Sequence, residues 1–216
     1  MALETRLELS SIGCVWFLLS LIVGATSLLA SIPVPFPQAV PSFLVILLLV
    51  SFWIIKVFRD WPLNVDIRTL LLIHISRFLG VCFLILYSKG EHPHDCAVLG
   101  GWGDIGDIIV AIAALLVLIF SPRRGLIGFV IYFILNLFGF IDIFFVVMTA
   151  GRLAMAYPQS MMALAKFPLG LLRAFLVPII IYSHIVIFIR IWRAKITDTG
   201  LFNPMFMRIK PLFRGI

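Results

Sequence analysis

The chain has 216 residues, of which 62% are hydrophobic and only 12% are charged. Soluble domains are nearer half apolar and a quarter charged, so this composition excludes an ordinary soluble fold and indicates membrane helices. The formal net charge of +7 resembles that of a nucleic-acid-binding protein. The basic residues, however, follow the ends of apolar segments, so we interpret the charge as a topology signal and expect no nucleic-acid partner.

Six apolar segments are long enough to cross about 30 Å of hydrocarbon. The second is short and lies between a proline cluster and a charged segment. Residues 1–192 are therefore predicted to form an all-α bundle of six transmembrane helices, and residues 193–216 a basic amphipathic cytoplasmic tail lying on anionic headgroups. The predicted spans are 10–31, 42–58, 66–88, 100–120, 126–149 and 169–191.

Lys and Arg are divided unequally between the two sides of this bundle. Twelve lie on the side that holds both termini, three lie on the other side, and Arg77 and Arg173 lie inside spans. Because cytoplasmic loops carry the excess of Lys and Arg, both termini are predicted to be cytoplasmic. The predicted location is the cell inner membrane, crossed several times.

Polar residues inside the spans form two layers when depth is measured from each span's midpoint. The outer layer has three acids and Arg173, the inner layer has two histidines, and Arg77 and Asn136 lie near the centre, from which the long Arg77 side chain can reach the outer acids. The outer layer has two interpretations: ion pairs that fix helix register, or a polar cavity that binds a cation, a proton or a polar ligand. Arg77, Asp107 and Asp142 are expected to share one network. The predicted ligand or ion-pair network contains Arg77, Asp104, Asp107, Asn136, Asp142 and Arg173.

A GxGD string, Gly101-Trp102-Gly103-Asp104, introduces the fourth span. Intramembrane aspartyl proteases carry this pattern, and they need a second Asp at similar depth, normally in an earlier span, because two carboxylates must share one proton. The third span has no acid beyond its cytoplasmic end, and Asp142 comes later in the chain. The string is the only sequence argument for an enzyme, and the sequence favours a non-enzymatic role.

Two sets of residues are weak candidates for binding a metal or a cofactor. The loop before the fourth span contains His92, His94, Asp95 and Cys96, which could bind a soft divalent metal, although Pro93 interrupts them and such clusters are often simply solvated. His74 and His184 lie at matching depth on different helices. They could be the axial ligands of haem b, or each could form a hydrogen bond to a neighbouring helix.

Four motifs resemble those of a family of small uncharacterised bacterial multi-span membrane proteins. That family's pattern is RxxGxxFL, GxGD, NxxGxxD and LVP…H, and the resemblance covers about residues 70–188. It implies no activity, and the loop that contains His92 departs from it. It does imply that five residues belong to one site: Arg77, Asp104, Asn136, Asp142 and His184. The matching segments here are Arg77–Leu84, Gly101–Asp104, Asn136–Asp142 and Leu176–Pro178 with His184.

Two function classes follow from these observations. The sequence favours an accessory or structural subunit of a membrane complex, with other membrane subunits as partners, because the chain is short and has neither internal repeats nor a recognised catalytic set. The alternative is a small transporter, channel or ligand-binding protein with a polar site in the outer half of the bundle. A b-type haem protein or an intramembrane protease is the third option.

Overall fold

A computed structural model describes residues 3–26, 28, 32, 36–90, 103–120, 126–157, 167 and 169–197. Within these ranges all regular secondary structure is helical, which confirms the predicted all-α class. The segment Ile67–Ser88 is α-helical at both ends and a 3₁₀ helix at Ile73–Leu79. A π-helical turn, Leu172–Leu176, leads directly into the last described helix. The helices are α1 (Leu3–Ala25), α2 (Phe36–Ile54), α3 (Lys56–Asn64), α4 (Ile67–Ser88), α5 (Gly103–Phe120), α6 (Leu126–Ala156) and α7 (Val177–Thr197).

Four helical segments in the described part of the chain are long and apolar enough to cross a membrane, where the sequence predicts six. A fifth is added if α2 and α3 count as one broken span. In α1, the apolar helical stretch Ser11–Ala25 is shorter than the length required of a membrane span. The count of six spans therefore stays a prediction. The four segments are Ile67–Ser88, Gly103–Phe120, Gly128–Ala156 and Leu172–Arg193.

The second predicted span, 42–58, does not run as one straight helix. Helix α2 ends at Ile54, Ile55 adopts an extended conformation (φ −101°, ψ 114°), and the chain turns by 94° into α3. The break comes just before Lys56, Arg59 and Asp60, whose charges favour the water-facing boundary of a bilayer over its interior. The polar sequence after Ile55 therefore explains why the helix stops short of the predicted end.

Helix α3 is fixed to α7 by hydrogen bonds from α7 side chains to α3 carbonyl groups. The Arg190 guanidinium donates to the carbonyl oxygens of Val65 at 2.7 Å and Pro62 at 3.3 Å. The Tyr182 hydroxyl donates to the carbonyl oxygen of Phe58 at 3.2 Å. Phe58 lies in the first turn of α3, and its carbonyl group has no donor four residues later because Pro62 has no backbone N–H. Pro62 and Val65 lie at the C-terminal end of the helix, where carbonyl groups have no intrahelical donors. The α7 donors therefore satisfy groups that would otherwise need water.

The core lies between α4, α5, α6 and α7, with α5 packed against both α4 and α6. The buried residues of α5 recur at intervals of three or four, which places them on one face of the helix. Its opposite face leaves large apolar side chains exposed, as a lipid-facing surface would. The buried face carries Asp104, Asp107, Val110, Ala111, Ala114 and Leu118, and the exposed face Ile109, Ile112, Leu115, Leu116 and Ile119.

Helix α1 docks on the π-helical turn before α7. Pro178 has no backbone N–H, so the carbonyl group of Ala174, four residues earlier, has no intrahelical donor at that position. Two side chains of α1 supply donors instead: Trp16 Nε1 donates to the Ala174 carbonyl oxygen at 3.0 Å, and Ser20 Oγ donates to the same oxygen at 3.2 Å. The Trp16 ring also packs edge-on against Phe175, with 5.1 Å between the ring centroids. The proline thus creates the acceptor that positions α1.

Candidate functional site

An arginine on the 3₁₀ segment of α4 links the three helices that surround it. Arg77 is only 3% exposed, and its Nε donates to Asp107 Oδ1 of α5 at 2.5 Å. Its Nη2 donates to Asp142 Oδ2 of α6, also at 2.5 Å. Charge-assisted hydrogen bonds between a guanidinium and a carboxylate are among the strongest in proteins. The pairing of Arg77 with both acids, expected from their similar depths, is therefore present.

The third guanidinium nitrogen connects this pairing to the inner histidine layer. Arg77 Nη1 donates to the Gly139 carbonyl oxygen at 2.9 Å and lies 3.4 Å from His184 Nε2. A guanidinium can only donate, so Nε2 accepts and the ring proton sits on Nδ1. That proton is donated to Asn136 Oδ1 at 2.8 Å, while Asn136 Nδ2 donates to the His184 carbonyl oxygen at 3.1 Å. Asn136 and Arg77 together set the tautomer of His184.

The second histidine has one nitrogen without a partner. Ser183 Oγ donates its proton to the Ile180 carbonyl oxygen at 2.8 Å, so it accepts from His74 Nε2, 3.2 Å away. His74 is 1% exposed, and its Nδ1 has no hydrogen-bond partner in the described part of the chain. The His74 and His184 ring centroids are 4.2 Å apart. A haem plane does not fit between rings this close, so haem ligation by both would require their helices to separate.

Two glycines let the helices approach closely enough for these contacts. A Cβ atom at Gly139 would lie 2.7 Å from His184 Cε1 and 3.1 Å from Arg77 Nη1. A Cβ atom at Gly106 would collide with the Asp142 carboxylate. Any larger residue at either position would push α6 away from α5 or displace the charged side chains, because interiors are close-packed. The glycines are therefore part of the site's architecture.

A cavity of about 120 Å³ adjoins the network and is lined by parts of α2, α4, α5, α6 and α7. Its charged lining residues are Arg77, Asp104, Asp107 and Arg173, and most of the rest are apolar. Arg173 lies in the π-helical turn and is only 9% exposed. Among the described residues, no hydrogen bond or ion pair reaches its guanidinium. The cavity thus contains a buried cation that the described protein groups do not neutralise.

The structure divides the predicted site residues into two groups. Arg77, Asp107, Asp142, Asn136 and His184 are joined by direct hydrogen bonds. Asp104, which has interactions of its own, and Arg173 line the cavity beside this network. The metal candidates His92, His94, Asp95 and Cys96, and the first residues of the GxGD string, lie outside the described residues.

The sequence interpretation missed several residues that complete the site. The sequence assigned no role to Ser183, Trp16 or Ser20. Gly139 was noted only as part of a motif, yet the NxxGxxD spacing places Asn136, Gly139 and Asp142 near one face of α6. A glycine between two polar residues on one helix face was a readable signal of close helix contact.

Comparison with known proteins gives one match. No curated protein and no solved structure matches the chain. A family model described as a domain of unknown function, DUF8737, matches residues 34–192, which include every residue of the network and the charged residues of the cavity. The match covers well over half of the chain, and the protein therefore belongs to the DUF8737 family.

Proposed function

We propose that this protein is a multi-pass membrane protein that binds a small ligand in the cavity beside Arg77. Six spans, an inner-membrane location and two cytoplasmic termini are parts of this proposal. Long apolar helices, the excess of Lys and Arg on one side and the resemblance to bacterial multi-span proteins support them. The basic tail after residue 192 is proposed to rest on anionic headgroups.

Arg173 is the observation that favours a ligand site over a purely structural role. Charges that only lock helices together need partners, because a buried unpaired ion costs several kcal/mol. Arg77 meets that requirement with two carboxylates. Arg173 is also largely buried, although less so than Arg77; it lacks such a partner among the described residues, and it faces a cavity. A bound ligand would supply the missing group.

The surroundings of the cavity support binding rather than free passage. Toward the predicted cytoplasmic side, the two hydrogen-bonded histidines are followed by a buried cluster of the described core that is apolar apart from the Tyr132 hydroxyl. A channel would need polar groups or water along that route. The cluster includes Leu70, Leu71, Val110, Ala114, Val186 and Ile187.

Purification in a mild detergent followed by native mass spectrometry tests this proposal. We expect the wild type to carry a small-molecule adduct that is lost in Arg173→Gln. The matched control is Arg152→Gln, which removes an exposed arginine of α6 and should leave the adduct unchanged. An absorption spectrum of the same sample tests for haem.

The accessory-subunit role makes the opposite prediction for the same experiment. A large partner protein would copurify, no small-molecule adduct would be seen, and Arg173→Gln would lower abundance together with partner recovery. That result would contradict the ligand-binding proposal and return the favoured role to a subunit of a membrane complex.

A further inference from the structure

The cavity has charges of opposite sign in two places, which we call its floor (the side formed by Asp107 and Arg77) and its wall (the side that carries Arg173). At the floor, Asp107 and Asp142 share one guanidinium, so their ion pairs with Arg77 leave a formal surplus of one negative charge. On the wall, Arg173 carries one positive charge that no ion pair connects to another described residue. These four groups sum to zero, yet the two unmatched charges do not meet. Asp104, which has interactions of its own, adds a further carboxylate to the lining, so the acidic side chains outnumber the arginines by one.

A ligand that satisfies both ends must therefore carry charge of both signs. An anion alone would neutralise Arg173 but would face the surplus negative charge of the floor. A cation alone would match the floor and leave the guanidinium of Arg173 buried without a partner. In a low-dielectric interior either mismatch is costly, because Coulomb energies there are several times larger than in water.

The rest of the lining requires an apolar body next to these charged groups. Uncharged side chains of α4, α6 and α7 form most of the walls. Such surfaces bind hydrocarbon groups, whereas a small polar zwitterion without a side chain would leave them in contact with water. These walls include Phe83, Ile143, Val146, Val147, Leu172 and Val177.

We propose that the cavity binds an amphiphilic zwitterion, with its anionic group on Arg173, its ammonium group toward Asp107 and its hydrocarbon part against the apolar walls. This proposal rests on the proposed function and names its ligand class. Either a free amino acid with an apolar side chain or the headgroup of a zwitterionic lipid has this chemistry.

A matched set of probes tests the ligand class by titration of the purified full-length protein in a neutral detergent. The set is 2-aminooctanoate, octanoate and octylamine, which share a chain and differ in charge. We expect 2-aminooctanoate to bind at least tenfold more tightly than either singly charged probe. Alanine tests the need for the apolar body and should bind at least tenfold more weakly. Dihexanoyl phosphatidylethanolamine distinguishes a lipid headgroup from a free amino acid as the source.

Substitutions at Arg173 then assign the anionic contact. In Arg173→Gln the advantage of 2-aminooctanoate over octylamine should disappear, because only the negative floor remains. Arg173→Lys should keep the order of the three probes, which also guards against a loss of folding. Arg152→Gln should reproduce the wild-type affinities.

Two kinds of result would overturn the inference, and they are distinguishable. If octanoate or octylamine binds as tightly as 2-aminooctanoate, the zwitterion class is wrong while a ligand site remains. If no probe binds and no endogenous small molecule copurifies, the proposed function fails as well.

Discussion

Replacing Arg77 with methionine is expected to destabilise the protein more than any other single substitution in the site. The change removes the donor to two carboxylates, one backbone carbonyl and one imidazole. Breaking a buried ion pair costs about 3–5 kcal/mol, because the remaining charge is stranded. Arg77→Met strands two charges, so we expect a loss at the upper end of that range or beyond it.

Because two aspartates share one arginine, variants that combine substitutions are more informative than the single variant. Arg77→Met with Asp142→Leu still leaves Asp107 without a cation, so this double variant should recover only part of the loss. Adding Asp107→Leu removes the last unmatched charge and should bring stability near the wild-type level, since apolar groups of similar shape can replace a buried ion network. Leu and Asp both branch at Cγ, which suits the close contact with Gly106.

The assay is reversible unfolding in mixed micelles, with the free energy of unfolding compared across the series. A loss below about 1 kcal/mol for Arg77→Met, the range of exposed pairs, would refute the buried network. Equal stability of the double and triple variants would refute the sharing of Arg77 between two acids. Ligand titration of a stable triple variant then separates a structural network from a functional one.

Three further predictions follow from individual contacts. Gly139→Ala should cost about 1–3 kcal/mol in unfolding free energy, because the added methyl group overlaps the imidazole beside it, whereas Gly13→Ala, with open space around it, should cost nothing. Ser20→Ala should weaken docking of α1 by about 1 kcal/mol, because one hydrogen bond to Ala174 is lost. The measurement is hydrogen exchange, which should become faster in the π-helical turn. The effect of Ser20→Ala should be smaller in a Pro178→Ala background, because alanine restores a backbone donor. Nitrogen NMR of labelled histidine should show His184 protonated on Nδ1; a proton on Nε2 would contradict its hydrogen bond from the guanidinium.

Charge and depth were enough to predict which residues form the ion pairs. The third span, 66–88, agrees closely with Ile67–Ser88, so the position of Arg77 near the middle of its helix was predicted correctly. An arginine in a hydrocarbon segment needs an anion, and Asp107 and Asp142 were the nearest in depth. Composition and burial cost therefore sufficed for this part of the site.

Depth does not specify which sides of the helices face one another, and the remaining errors come from that gap. Depth alone assigned His184 to a separate inner layer, whereas the motif resemblance grouped it with Arg77, and the two side chains are in contact. The right-angle turn after Ile54 and the docking of Trp16 on Ala174 depend on backbone hydrogen bonds. Hydropathy does not encode such bonds, so these features became visible only in the folded chain.

The helices that carry the two shared carboxylates differ greatly in length. Helix α5 has 18 residues and spans about 27 Å, close to the thickness of bilayer hydrocarbon. Helix α6 has 31 residues and spans about 46 Å, so it must tilt or project beyond the hydrocarbon. In the proposed membrane-spanning arrangement, thinning or thickening of the bilayer would act differently on the two helices and favour sliding of one along the other. Arg77 forms an ion pair with one carboxylate on each helix, so these two ion pairs would resist that sliding.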